Sequence, residues 1–306
     1  MPPDEEPASP FDILGRICRE AGPRPAGSAA EEKAAKMIAS MLEGWGVETS
    51  IQSFPVVPRT LQILLGLSVA VYLVSLPVFF LSPPVSVVLL AFLPGLFFPH
   101  MVFGYNQVDM FFPKKPSWNV IGKIRPAGER GKLLIFSAHH DSAWRMPLLD
   151  RSTYKIAIAL FPVFALSVLA LLAFSCWKTF VLLGMEGAFP APPAVEIAVL
   201  AFCGAGAVAG IALALGLLRA DAVMGANDNL GSVAVIMALA RELVQARPAG
   251  TEVWVLSFGA EELGLLGSRF FVRRSAGALR GSLTVNLESL GQSGKLHALT
   301  GELLAW

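Results

Sequence analysis

Four short segments stand out for what their side chains could do together: His139-His140-Asp141, Asp228, Glu261-Glu262 and Glu288. Carboxylates and imidazoles are hard-to-borderline donors, and a convergent set of them suits zinc without any thiolate. The three cysteines, Cys18, Cys176 and Cys203, are too few and too scattered for a sulfur-based metal site or a disulfide framework. Taken singly, each acid has an ordinary explanation: Asp228 as a helix cap, Glu261 and Glu262 as a helix start favoured by the dipole, Glu288 as an edge charge. Position is what sets them apart. His139 closes a strand-like run at 132–138, Glu261 and Glu262 follow a continuous apolar run at 253–258, and Glu288 follows a strand-like run at 282–287. In an open parallel sheet, ligand groups collect at the carboxyl ends of the strands, so these segments are expected at one crevice, with Asp228 just ahead of a helix.

The elements that must position them can be read from periodicity. Ser28 followed by Glu31 is a capping-box pattern, and Ala35, Ile38, Met41, Leu42 and Trp45 then recur at helical spacing until Gly46. Strand-like runs follow at 49–57 and 119–124, before the run that ends at His139. Val233, Ile236, Met237, Ala240, Leu243 and Val244 make a second apolar helical stripe, and a short helix is expected at 263–272. Strands alternating with helices, apolar on both faces, predict an α/β fold with a mostly parallel sheet flanked by helices.

Two long apolar insertions interrupt that pattern. No Asp, Glu, Lys or Arg occurs from Thr60 to Val108, and further uncharged runs cover 156–177 and 197–218. A helix needs about 20 apolar residues to cross the hydrocarbon layer, and core helices rarely run so long without charge. Four spans are expected, at 61–81, 85–103, 156–177 and 197–218, the second of them carrying Pro94, Pro99 and His100. They form two transmembrane hairpins, 59–110 and 153–220, separating three parts of one catalytic domain: 1–58, 111–152 and 221–306. Even numbers of crossings return every α/β segment to the same side of the bilayer. Arg59, Lys114, Lys115, Arg145, Arg151, Lys155 and Arg219 flank the spans on that side, against Lys178 on the other, so the positive-inside tendency puts the domain in the cytoplasm. The 306 residues are 54% hydrophobic and 15% charged with net charge +1, which gives no basis for binding nucleic acid. The spans also lack the charged residues that mark an ion path through a transporter.

Five segments in order resemble metallopeptidase family 28, the co-catalytic zinc aminopeptidases and carboxypeptidases that include the glutaminyl cyclases. They are Gly22 through Ser28, Ser137-Ala138-His139-His140-Asp141-Ser142, Gly225 through Ser232, Ser257 through Ser268 with its paired glutamates, and Val285-Asn286-Leu287-Glu288. The resemblance covers about two-thirds of the chain, everything outside the apolar runs. It implies that Asp228 bridges two zinc ions, that His139 and Glu288 complete one of them, and that Glu262 binds the other. Asp141 would orient the imidazole of His139, and Glu261 would serve as general base. The family commonly has aspartate where Glu288 stands, and it has a last histidine ligand well downstream: either that ligand lies beyond Trp306 in a longer protein or the second zinc lacks it, so two zinc ions are expected in a complete protein and one or none in this chain. His140 and His297 receive no role, and His100 reads as packed or interfacial. The activity implied is hydrolysis of unblocked peptides at a membrane. The alternatives are a single-zinc, glutaminyl-cyclase-like aminoacyltransferase and a non-catalytic membrane-bound binding protein.

Overall fold

The computed structural model of the chain describes residues 9–103, 107–150, 152–185, 187, 189–217, 221–291 and 297. Leu218, which ends the fourth expected span, the flanking Arg151 and Arg219, and Trp306 lie outside the described residues.

Helix α1 (Pro10–Ala21) is set by a reciprocal capping box, in which the Ser9 hydroxyl and the Asp12 carboxylate each accept the other's backbone N–H. Sequence periodicity did not mark this helix, because only Ile13 and Ile17 bury fully. Helix α2 (Ala29–Gly44) starts where Ser28 predicts it, with the Ser28 hydroxyl accepting from Glu31 N at 3.1 Å. Only half of that expected capping box forms. The Glu31 carboxylate turns inward instead, accepting from Gly27 N at 2.6 Å and from the Ser117 hydroxyl at 2.5 Å.

Strands β1 (Glu48–Val56), β2 (Lys115–Ile124), β3 (Ala127–His139), β4 (Ala249–Phe258) and β5 (Leu283–Asn286) form one sheet in the order β1-β2-β4-β3-β5. The sheet is mixed rather than mostly parallel. β4, β3 and β5 run parallel, whereas β1 pairs with β2 and β2 with β4 in antiparallel register. The reason lies in the first apolar insertion. Val56, the last residue of β1, pairs with Lys115, the first of β2, so the long helical excursion between them replaces the turn of a β-hairpin. A chain that leaves and returns at one point continues antiparallel, whatever the length of the excursion.

Both faces of the sheet are covered, as the apolar strands require. On one face Ile13 and Ile17 of α1, Ile38 and Leu42 of α2, and Val233, Ile236 and Met237 of α7 (Gly231–Gln245) pack over Val120, Val253 and Val255. On the other, Phe271 of α8 (Leu266–Leu279) packs over Ile121, Ile135, Trp254 and Leu256.

The two insertions are helical hairpins. One comprises α3 (Thr60–Leu81) and α4 (Pro83–Phe103), the other α5 (Tyr154–Leu182) and α6 (Pro193–Leu217). Their inner faces form a separate apolar cluster that includes Leu64, Tyr72, Phe79, Leu90, Phe164, Leu171 and Cys203. Buried hydroxyls link the helices, Ser175 donating to Ser86 and Ser86 to the carbonyl of Ser75, while Tyr72 donates to the carbonyl of Cys203. Their outer faces are apolar too: Leu81, Phe80, Val88, Phe161, Leu182, Ile197, Val208 and Leu215 are all exposed. Among the described residues three helices, 60–81, 154–182 and 193–216, are long and apolar enough to cross a membrane. Only 33%, 22% and 28% of their most apolar windows are buried. The described apolar stretch of α4, Pro83–Leu96, is shorter than those three. Core helices of a soluble domain would hide such surfaces.

Candidate metal centre

Because β4, β3 and β5 are parallel neighbours, their carboxyl ends coincide. His139 pairs with Phe258, and Ser137 with Asn286, which brings the loops after β4 and β5 to either side of His139. Two crossing hydrogen bonds lock this arrangement: His140 N to the carbonyl of Phe258 at 2.9 Å, and Leu287 N to the carbonyl of Ser137 at 2.8 Å.

His139, only 2% exposed, is the centre of the cluster. Its Nε2 lies 3.2 Å from Asp228 Oδ1, 3.2 Å from Glu288 Oε1 and 3.6 Å from Glu261 Oε2. Its Nδ1 lies 3.3 Å from Asp141 Oδ1. Donor atoms of His139, Asp228 and Glu288 fall within 4.8 Å of one another, as do those of His139, Glu261 and Glu262. The structure therefore brings together the six residues given a role from the sequence, five of them as two adjoining groups that share His139, with Asp141 on the other side of the imidazole.

Asp141 does more than face the imidazole. It is fully buried and accepts from the backbone N–H of Glu261 at 3.1 Å and of Glu262 at 3.2 Å, so it also fixes the paired glutamates. Asp228 belongs to the loop Ala226–Leu230 ahead of α7, and its peptide bond to Asn229 is cis. Asn229 holds this loop against the loop after β5, donating to the carbonyl of Leu287 at 2.8 Å and accepting from Ser289 N at 3.0 Å. Gly225 enters the loop at φ +57°, and a side chain there would collide with Ser142 and the carbonyl of Asp228.

The electrostatics have the character of a cation site. Burial disfavours charge on His139, but Asp141, Asp228 and Glu288 outweigh it and hold the imidazole pKa above its ordinary value. That imidazolium lowers the pKa of Asp228. Burial raises the pKa of Glu261, and burial with the nearby Asp141 pushes Glu262 up to about 8. So many acids around one imidazole cannot all ionise together unless further positive charge is supplied. The donor set, one imidazole and carboxylates without sulfur, fits zinc, and all three cysteines are free and outside it.

Three supporting residues have no role at the site in the sequence reading. Arg24 is fully buried and donates to the carbonyls of His140 at 2.8 Å, Met224 at 3.0 Å and Gly225 at 3.2 Å, joining the His139 loop to the Asp228 loop. Its signal was an arginine between two prolines in Gly22 through Ser28. Asn229 sits beside Asp228, and an amide next to an acid carries no mark of its own in the sequence. Glu31 lies behind the paired glutamates, and burial, reinforced by Asp141, pushes its pKa up to about 8.

The raised Glu31 pKa sets a pH dependence. A carboxyl whose pKa is about 8 when folded and 4.5 ordinarily stabilises the fold fully below the lower value and loses that contribution as pH rises through about 8. Glu31→Gln is therefore expected to flatten part of the fall in metal-free thermal stability between about pH 5 and 8, the rest belonging to Glu262. Melting curves of the two proteins across that range check it, and parallel curves would contradict it.

Comparison with known proteins finds partial matches that point the same way as the motifs. Residues 210–302 match the family model of Peptidase family M28, which bears out the resemblance carried by the motifs. The aminopeptidase YwaD of Bacillus subtilis is 39% identical over 71 residues, 22% of this chain and 15% of YwaD. Among solved structures, a zinc-dependent exopeptidase of Parabacteroides distasonis is 14% identical with a TM-score of 0.49, over 95% of this chain and 64% of that one. A glutaminyl cyclase of Fimbriiglobus ruber is 15% identical with a TM-score of 0.47, over 94% of this chain and 62% of that one. The chain thus spans less than two-thirds of either solved relative and a small part of YwaD.

Proposed function

We propose, from the premise that this chain carries the sequence signature of peptidase family M28, that it is a membrane-anchored zinc exopeptidase of the aminopeptidase type. The observation that carries this reading is the convergence of two acidic groups on the single imidazole of His139. In it, His139, Asp228 and Glu288 would hold one zinc, and Asp228 and Glu262 would hold the second. Zinc held there supplies Lewis acidity and a more acidic water. Asp141 keeps His139 in one orientation and the backbone of Glu261 and Glu262 in one place. Glu261 takes the proton of the attacking water and returns it to the leaving amine, and burial, by raising its pKa, makes it a stronger base.

The apolar hairpins serve as the anchor. Outward-facing apolar side chains on helices of this length support four crossings, with α4 as the second. The catalytic parts 1–58, 111–152 and 221–306 then share one side, and the flanking basic residues favour the cytoplasm. Lys178, at the opposite end, is paired with Glu196 at 2.5 Å and adds little positive charge there.

A peptide with unblocked amino-terminal glutamine separates hydrolysis from cyclisation. Hydrolysis adds water and releases free glutamine, whereas cyclisation expels ammonia and leaves the chain whole. The protein in detergent with zinc is expected to release glutamine, to lose that activity with a chelator and to regain it when zinc is restored. Mass spectrometry reads both products. Loss of ammonia alone would favour the aminoacyltransferase, and neither product would favour a binding protein.

A further inference from the structure

The crevice beside Glu262 has a second boundary, supplied by the first apolar hairpin. Between the opening turn of α3 and the loop after β4 lies a slot lined by Leu61, Gln62, Ser142, Trp144, Glu262 and Leu263. Its volume of ≈ 20 Å³ admits one water-sized group. Gln62 is 7% exposed, and its buried Oε1 has no hydrogen-bond partner among the described residues. Leaving a buried acceptor unpaired is costly, so the slot calls for a donor. Glu262, on the same wall, offers a second acceptor, and the Ser142 oxygen already accepts from Arg24 N at 2.9 Å.

The walls are fixed by the roots of both hairpins. Trp144 donates its indole N–H to the carbonyl of Pro58 at 2.9 Å, and the Arg59 guanidinium sits 4.3 Å over its ring. Trp144 also bridges to Ala222, flanked by hydrogen bonds from Arg145 N to Asp221 O and from Val223 N to Ala143 O, which pins the two ends of the second hairpin together. Thr60 donates to Asp109 at 3.2 Å across the base of the first. A water-sized slot with an amide oxygen and a carboxylate on its walls suits a small group that only donates, and the group of that kind common to every unblocked peptide, whatever its side chains, is the α-ammonium. Gln62 stands in the first turn of a 22-residue apolar helix, so the slot lies at the level where that helix enters the bilayer.

We propose that this slot receives the free amino terminus of a peptide lying at the membrane surface, and that Gln62 of α3 is a substrate-binding residue. The assignment rests on the peptidase reading and names the class of peptide it acts on.

The test uses the full chain in phosphatidylcholine vesicles with zinc. Three substrates are compared: an unblocked pentapeptide anchored by a C-terminal palmitoyl-lysine, its N-acetylated twin, and the same peptide without the anchor. The anchored, unblocked peptide is expected to be cleaved at a KM at least about tenfold below that of the soluble one, and the acetylated twin not at all. Gln62→Leu is expected to raise that KM roughly tenfold or more, the range for losing a hydrogen bond to a charged group, with little change in kcat. Gln62→Glu keeps the acceptor and is expected to retain the KM. An unchanged KM in Gln62→Leu, equal cleavage of the acetylated twin, or no preference for the anchored peptide would each overturn the proposal. Zinc binding by Gln62→Leu equal to that of the unmodified protein shows that the variant folds; where it does not, Gln62→Met, closer in shape to glutamine but without the amide oxygen, takes its place with the same expected rise in KM. If no peptide is cleaved, the peptidase reading fails. Vesicle binding of a fluorescent unblocked peptide against its acetylated twin then still decides the slot.

Discussion

Glu261→Gln is expected to lower kcat/KM for an unblocked peptide by about 10²–10⁴-fold, the usual worth of a general base, while bound zinc stays unchanged. The two halves of that result follow from different atoms. The amide keeps the size of the carboxylate, and the backbone N–H of residue 261 still donates to Asp141, so the loop stays where it is. What disappears is the group that takes the proton. Glu261 Oε2 lies 3.6 Å from His139 Nε2, within the same group of donors as Glu262, so the alternative is that Glu261 is itself a ligand. Zinc measured on the purified variant separates the two: zinc lost along with activity makes Glu261 a ligand, and activity retained removes it from the reaction.

His139→Ala is expected to have the widest effect, because His139 is the residue that both candidate groups share. Its loss should abolish measurable zinc binding and reduce hydrolysis to background, more than the about 10–100-fold that removing a group behind a ligand costs. The variant also strands a negative cluster. Asp228 loses the imidazolium that lowers its pKa, and Asp141 keeps only its two backbone N–H partners on the loop after β4. Zinc titration of the protein in detergent reads this directly, and stoichiometric binding by the variant would show that the acids assemble around something other than His139.

The acids of this centre were legible in the sequence because each follows a strand-like run, and strands β3, β4 and β5 end together once they are parallel. The mixed sheet was not legible. It depends on β1 and β2 pairing across an excursion of more than fifty residues, and nothing in the alternation of either strand reports a partner so distant. Arg24, Glu31 and Asn229 escaped for a related reason. Arg24 is satisfied by the carbonyl of Gly22 and by three others 116 to 201 residues away, and Asn229 by main-chain groups 58 and 60 residues away; main-chain partners leave no mark on side-chain patterning. Glu31 was read as half of a capping box, a local role, whereas its nearest side-chain partner is Ser117, 86 residues away. The apolar hairpins were the easiest part to read, since composition alone distinguishes them. That their roots meet at Trp144, beside Glu262, emerged only from the fold.

The central claim is that His139 and the surrounding carboxylates bind zinc through nitrogen and oxygen alone. X-ray absorption of the zinc-loaded protein in detergent tests it most directly. The expected result is a shell at about 2.0–2.2 Å with an imidazole contribution, and no bound-zinc signal from His139→Ala carried through the same loading. A sulfur shell near about 2.3 Å, or an imidazole signal that survives the substitution, would contradict it.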